Sequence, residues 1–394
     1  MRNSTVIALF SCLLAATSAS ADQPLDCSKK SLAAAVADLQ GNNTVFEFTG
    51  VCAGPIVIKA EGVTLQGVGD AVIDGGGAQD AVTIAGASRV ALNGIEIRNG
   101  VNGVVAVNGA HVSLTSLSVH HNLASGISIQ TGSSAVLSEV TTAQNGLHGL
   151  DVHSGSAATI NGTLAATANR VFGVNVNGSS LTLSQATVTA TGNALGIQIA
   201  TNANAFLGDA DSVINANNNL ATGLTIVSGA HLVSFGGTIN ASGNPGVGIS
   251  VNSKAGLDLD AGSTLNTTSN GDGLLVQQSS VMTVFNTPQF SGAPGFSTIN
   301  ATSNTRTGVR VLTDAVLTVV NQARVISNQN GTTGFVADNG SAVTLVNSTI
   351  TGNSAVDLQL TFGARADLRT LTFGTYTCDP TVLVRGTSGV TCPH

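Results

Sequence analysis

The sequence predicts an all-β chain folded as a single-stranded, right-handed parallel β-helix, a solenoid with a short capping helix at its N-terminal end. Three observations carry this. First, an Asn, three residues and a Gly recur along the chain, and each such Gly is followed by an aliphatic–any–aliphatic triplet. Second, the launch glycines Gly103, Gly126, Gly149, Gly173, Gly196, Gly223, Gly248, Gly273, Gly308 and Gly334 lie 23, 23, 24, 23, 27, 25, 25, 35 and 26 residues apart. A period of that size marks a solenoid, and short strands without a Leu-rich consensus fit a parallel β-helix. Third, only 9% of residues are charged while 42% are hydrophobic, which suits coils that bury their apolar faces on one another. The hand follows from the general preference of parallel crossovers.

Within each unit the residues one and three past the Gly are aliphatic, as in Ile127 and Ile129, Leu150 and Val152, Val174 and Val176. Alternation sends these to the interior of the coil. The Gly relieves crowding at the corner or supplies a positive φ. The recurring Asn falls at one corner of every coil, where stacked amides can bond to each other and to the turn backbone. Asn99, Asn122, Asn145, Asn169, Asn219, Asn244, Asn304, Asn330 and Asn353 form this expected ladder. Asn193 and Asn270 stand one place closer to their glycines, and Asp357 replaces the Gly that would follow Asn353.

Residues 1–21 have the marks of a secretory signal: Arg2 at the charged end, an apolar run over 6–16, and Ala19-Ser20-Ala21 as an A-x-A cleavage site. Cys12 inside that run makes a lipid anchor the lesser alternative. No later run is long and apolar enough to span a bilayer. Removing one Arg with the signal takes the net charge from −7 to −8, which argues against nucleic acid or an anionic membrane as partner. The expected compartment is therefore periplasmic or extracellular.

Four cysteines remain, at the two ends: Cys27 and Cys52, Cys378 and Cys392. Export permits disulfides. Sequence allows three pairings, and a rod with distant ends favours Cys27–Cys52 and Cys378–Cys392. Their spacing does not suit zinc. Between the first two, Ser31 can cap an amphipathic helix running to about Gln40, stopped by Gly41. We divide the chain into an N-terminal cap over 22–61, coils over 62–357 and a C-terminal cap over 358–394, the last carrying Arg365, Arg369 and Arg385. The unit between Gly273 and Gly308 is about ten residues longer than its neighbours and holds Pro288, Pro294, Phe285, Phe290 and Phe296. Insertions in solenoids map to loops on one face.

The segment "GVCAGPIVIKAEGVTLQGVGDAVIDGGG" and the coils after it resemble the secreted right-handed parallel β-helix proteins of the pectate-lyase-like superfamily, over essentially all of residues 27–394. That resemblance implies the fold; the superfamily holds lyases, hydrolases, epimerases, tailspikes and non-catalytic surface proteins.

The alternation that buries one set of side chains turns the other outward. Ser128 and Gln130, Asp151 and His153, Asn175 and Asn177 then form a polar strip, continued by Gln198, Thr225, Ser250 and Asn252. Asp151 and His153 are the acid/base neighbours on it, with His148 just before the same strand. A carboxylate beside an imidazole is the minimum for proton abstraction. "DVHS" over 151–154 is similar to the Asp-Pro-His-Asp signature of alginate C5-epimerases, in which His is the base and a nearby Arg neutralises the uronate. Here Val152 and Ser154 replace the Pro and second Asp, Asn177 stands where a cation would help, and Arg170 sits at a turn. The resemblance would make Asp151 and His153 catalytic, with Ser128, Gln130, His148, Asn175 and Asn177 binding substrate.

Other chemistries lack their parts. Acids such as Glu96, Glu139, Asp209, Asp211, Asp258 and Asp260 are scattered, not clustered as calcium-dependent lyases or polygalacturonase-type hydrolases require. His120 and His121 are expected to point to opposite sides. The absence of Trp and the single Tyr376 remove the usual sugar-stacking platforms. An autotransporter passenger is not expected, with no membrane-barrel domain read after the cap, and the outward rows are too mixed for an ice-binding array. The leading expectation is an exported non-catalytic solenoid whose polar face meets a polysaccharide or cell-surface component, without metal or cofactor. The alternative is a polysaccharide-modifying enzyme of uronan lyase or C5-epimerase type.

Overall fold

A computed structural model describes residues 23–39, 43–287, 295–386 and 389–393. The expected signal, the helix stop at Gly41, and Pro288, Phe290 and Pro294 lie outside the described residues. The described strands run parallel in three sheets of 16, 14 and 14 strands, and each strand's sheet neighbours come from the coils before and after it. This is a right-handed parallel β-helix of about 14 turns. One coil illustrates the rest. Strand Leu150–His153 belongs to the first sheet, Ala157–Ile160 to the second and Thr163–Thr167 to the third, and the chain turns at Asn169 to begin Phe172–Asn177 above it. Leu150, Val152, Ala158, Ile160, Leu164 and Ala166 are all buried in one continuous core. Alternation alone puts them there.

The N-terminal end is closed by helix Leu32–Ala37, with the Ser31 hydroxyl accepting from the Ala34 N–H. Leu32 and Val36 are buried, and the helix lies against strands Ile56–Ile58 and Val51–Ala53. It thus covers apolar interior that no earlier coil could cover. Cys27 is bonded to Cys52 and Cys378 to Cys392, one crosslink at each end of the rod.

The corner between the third and first sheets is held by stacked asparagines. The Oδ1 of Asn145 accepts from both the backbone N–H and the Nδ2 of Asn122, at 3.1 and 2.9 Å. Asn169 does the same for Asn145, and Asn193 for Asn169. The pattern continues through Asn219, Asn244, Asn270, Asn304, Asn330 and Asn353. The second hydrogen of each interior amide goes to a main-chain carbonyl, for Asn145 that of Val119. Asn193 and Asn270 are full members despite their shifted spacing. Asn99 is not a member. It sits at φ 57° and its Nδ2 reaches the Oδ2 of Asp74 at 2.8 Å on the outside. The first ladder amide is instead that of Asn122, which accepts from the Gly100 N–H.

The launch glycines answer to crowding and not to a positive φ. A Cβ on Gly149 would meet the Nδ2 of Asn169 at 2.8 Å and the Gly173 carbonyl at 2.6 Å. The left-handed residue is the one before the ladder Asn, and it is often not glycine: His121, Gln144, Ala168 and Asn218 have φ of 55°, 54°, 54° and 53°.

Asp357 ends the ladder. Its Oδ1 accepts from the N–H and Nδ2 of Asn353, and its Oδ2 from the N–H groups of Gly374 and Thr375. Burial pulls the carboxyl pKa up, but these donors outweigh it and hold it below its ordinary 3.8.

Two stability outcomes are expected. Asn145→Ala strands the N–H and amide of Asn122 and the Val119 carbonyl, and should cost roughly 1–3 kcal/mol. Asn99→Ala, which loses one exposed bond, should stay within about 0.5 kcal/mol; equal losses in urea unfolding would contradict the ladder assignment. For Asp357 the folded pKa is depressed, so its contribution is present above pH 3.8 and is lost as pH falls through the lower folded value. The stability gap between wild type and Asp357→Asn, compared by urea titration at pH 6 and about pH 2.5, should therefore shrink in acid.

Candidate functional site

The expected strip is in register. Ser128 pairs with Asp151, Asp151 with Asn175 and Asn175 with Gln198, while His153 pairs with Asn177. Asp151, His153, Ser154, Asn175, Asn177 and Gly178 line a shallow depression of about 480 Å³. Within the row, Ser128 and Asn175 are only 4% and 7% exposed, so the open polar surface is carried by Gln130, His153 and Asn177.

The Asp151 and His153 side chains are not hydrogen-bonded to each other. The Oδ1 of Asp151 accepts from the Nδ2 of Asn175 at 2.8 Å. Its Oδ2 is 3.8 Å from the Nε2 of His153, beyond a hydrogen bond. The His153 Nδ1 is engaged by the Ser154 hydroxyl at 2.9 Å. Asn175 spends its amide on Asp151, and its buried Oδ1 has no partner among the described residues. Arg170 is exposed on the turn, donates its N–H to the Asn145 carbonyl and does not line the depression.

His148 is drawn away from the strip. Its ring stacks on Phe172, with centroids 5.3 Å apart and planes at 27°, and its buried Nδ1 has no hydrogen-bond partner among the described residues. Burial pushes its pKa below 6.5; Asp151 opposes this and His153 adds to it.

His120 and His121 depart from expectation. Their Nδ1 atoms lie 2.7 Å apart on the outer face. The cause is the left-handed backbone of His121, φ 55°, required by the ladder turn that follows. Behind them the third sheet carries a connected polar group. Glu96 Oε1 is 3.4 Å from His120 Nε2 and 2.7 Å from Arg98 Nη1, and Arg98 Nε reaches Asp74 at 3.2 Å. Among the described residues, no three His, Cys, Asp or Glu side chains converge as metal ligands.

A hydrogen-bonded imidazole and carboxylate occur on the second sheet, where the sequence reading did not look. His231 Nε2 lies 3.0 Å from Asp258 Oδ2. The signal for it was available: His231 pairs with Gly256, and Asp258 is two residues further on the same outer face. Counting equal steps from Gly223 and Gly248 brings His231 opposite Gly256.

A family model described as "Right handed beta helix region" matches residues 46–207 and 102–271, together more than half of the chain. No curated protein matches the sequence. Among solved structures, a periplasmic alginate epimerase double mutant is similar at 10% identity, covering 82% of this chain and 78% of that one, with a TM-score of 0.43. The A-module of a mannuronan C-5 epimerase from Azotobacter vinelandii is similar at 13% identity over 89% and 93%, TM-score 0.43. The catalytic unit of a thermostable α-1,3-glucanase from Streptomyces thermodiastaticus is similar at 14% identity over 95% and 69%, TM-score 0.43.

The half-buried His148 sets a pH dependence. Its folded pKa is lowered, so the unfolded chain binds the extra proton and stability falls as pH drops through 6.5. His148→Phe keeps the stack on Phe172 and removes the titrating group. The loss of melting temperature between pH 7.5 and pH 5.5 should be smaller in that variant than in wild type; an unchanged loss would place the acid sensitivity elsewhere.

Proposed function

The chain belongs to the right-handed beta-helix family, and on that premise we propose that it is an exported, non-catalytic solenoid whose polar outer faces contact carbohydrate or other surface and matrix components. The observation that carries this reading is the state of the first-sheet strip. Proton abstraction needs a base held by its partner and, for a uronate, a cation over the carboxylate. Asp151 is committed to Asn175, His153 to Ser154, and the two stand 3.8 Å apart. None of the residues lining the depression is Arg or Lys. Crosslinks at both ends support an oxidising compartment, and the flat in-register rows support extended contact with a partner surface.

A second reading has one observation in its favour. The depression brings Asp151, His153 and Asn177 to one open surface, where sugar hydroxyls would meet them. In that reading the protein is a uronan lyase or C5-epimerase, with His153 as the proton-transfer group, Asp151 orienting it and Asn177 binding the sugar.

Purified protein incubated with alginate, pectin and related polymers should produce neither new reducing or unsaturated ends nor a change in the uronate epimer ratio by NMR. Turnover abolished by His153→Ala would replace the first reading with the second. Turnover that survives it would overturn both assignments of the strip.

A further inference from the structure

The outer face of the second sheet carries side chains that the reading above does not use. The imidazole of His231 passes over Gly256 to reach Asp258 on the neighbouring strand. Gly256 makes the crossing possible, since a Cβ there would lie 2.5 Å from the His231 Cδ2. The hydrogen bond to Asp258 raises the imidazole pKa against the opposing effect of burial. His231 Nδ1 and Asp258 Oδ1 have no hydrogen-bond partner among the described residues and remain free to meet a ligand.

Beside this pair stands an aromatic surface. Phe206 is 39% exposed, and its ring lies 5.7 Å from that of Phe235 at 60°. A Cβ on Gly208 would sit 3.0 Å from the Phe206 ring, so here too a glycine leaves the space the ring occupies. Phe206 pairs with Val233, and Val233 with Asp258, while Asn204 pairs with His231. Ring, amide, imidazole and carboxylate thus share one flat face over three consecutive coils, a span of roughly 10 Å. That is the length of two pyranose rings.

We propose that this face binds a neutral saccharide. The C–H face of one sugar ring would lie on Phe206, and hydroxyls would bond to His231 Nδ1, Asp258 Oδ1 and the Asn204 amide. Apolar area with a few fixed polar groups is the usual composition of such a site. Neutrality follows from the surrounding charges. Asp258 stands on this face, and Asp209 and Asp211 in the turn that follows the Phe206 strand, against Lys254 and the imidazole, so a uronate or sulfate would meet repulsion. The site rests on the carbohydrate-contact reading but lies on a different sheet from the Asp151 strip.

The test is calorimetric titration of the full chain with neutral gluco-, manno- and galacto-hexaoses and with hexauronates as the anionic arm. At least one neutral hexaose should bind, and more tightly than any hexauronate. Phe206→Ala and the conservative Asp258→Asn should each weaken it at least tenfold with an unchanged melting temperature, while Asp151→Asn should leave it unaltered. Binding lost only in Asp151→Asn, or preference for hexauronates, would overturn the second-sheet site and keep the carbohydrate reading. No binding of any hexaose would overturn the site, and with it the carbohydrate part of that reading; contact with a non-carbohydrate surface would then be what remains of it.

Discussion

The asparagine ladder is the constraint on which the rest of this structure depends. Every amide in it points the same way: Nδ2 donates toward the following coil and Oδ1 accepts from the preceding one. Aligned amides polarise one another, so the stack has a positive end, and that end meets the carboxylate of Asp357. The logic is that of an acid at a helix N-terminus, transposed to side chains. Because each Asn also takes up the backbone N–H of its neighbour, the ladder fixes the rotational register of the coils it spans. The outer rows align as a result, and they align from Ser128 to Gln198 without a slip.

Much of this was legible in the sequence, and the reason is that the repeat is written in residues with few alternatives. A launch glycine cannot carry a Cβ without striking a ladder amide, so it recurs, and its spacing gives coil length and register. Asn99 misleads because it keeps the Asn-to-Gly spacing while its backbone turns the side chain outward. Asn193 and Asn270 show the converse, since the ladder tolerates a one-residue change in the loop that follows. The left-handed position before each ladder Asn left only a partial signal: Gly192, Gly243 and Gly352 suit it, but His121, Gln144 and Ala168 adopt it under the turn's constraint and not by propensity. That position is what brought the His120 and His121 rings together.

The candidate sites were harder to see for a different reason. Sequence places residues on a face but does not choose rotamers. Asp151 and His153 are correctly adjacent, yet each finds a closer partner in Asn175 and Ser154. His231 and Asp258 are 27 residues apart and look unrelated, but with Gly256 opposite the imidazole they meet. On a solenoid, pairing across coils is worth reading diagonally, with the glycines treated as openings through which a neighbouring side chain can pass.

The carboxylate that closes the ladder also acts as a ruler. An asparagine both receives a hydrogen bond and passes one on, so each coil that contributes one leaves a template for another. An aspartate receives and has nothing to pass on. Asp357 spends its second oxygen on the Gly374 and Thr375 backbone, tying the last coil, whose strands still pair with the sheets, to the end of the ladder. The length of the amide stack is therefore set by a single atom's chemistry, an oxygen where each earlier ladder residue presents a nitrogen, and the last coil packs on without a ladder amide of its own.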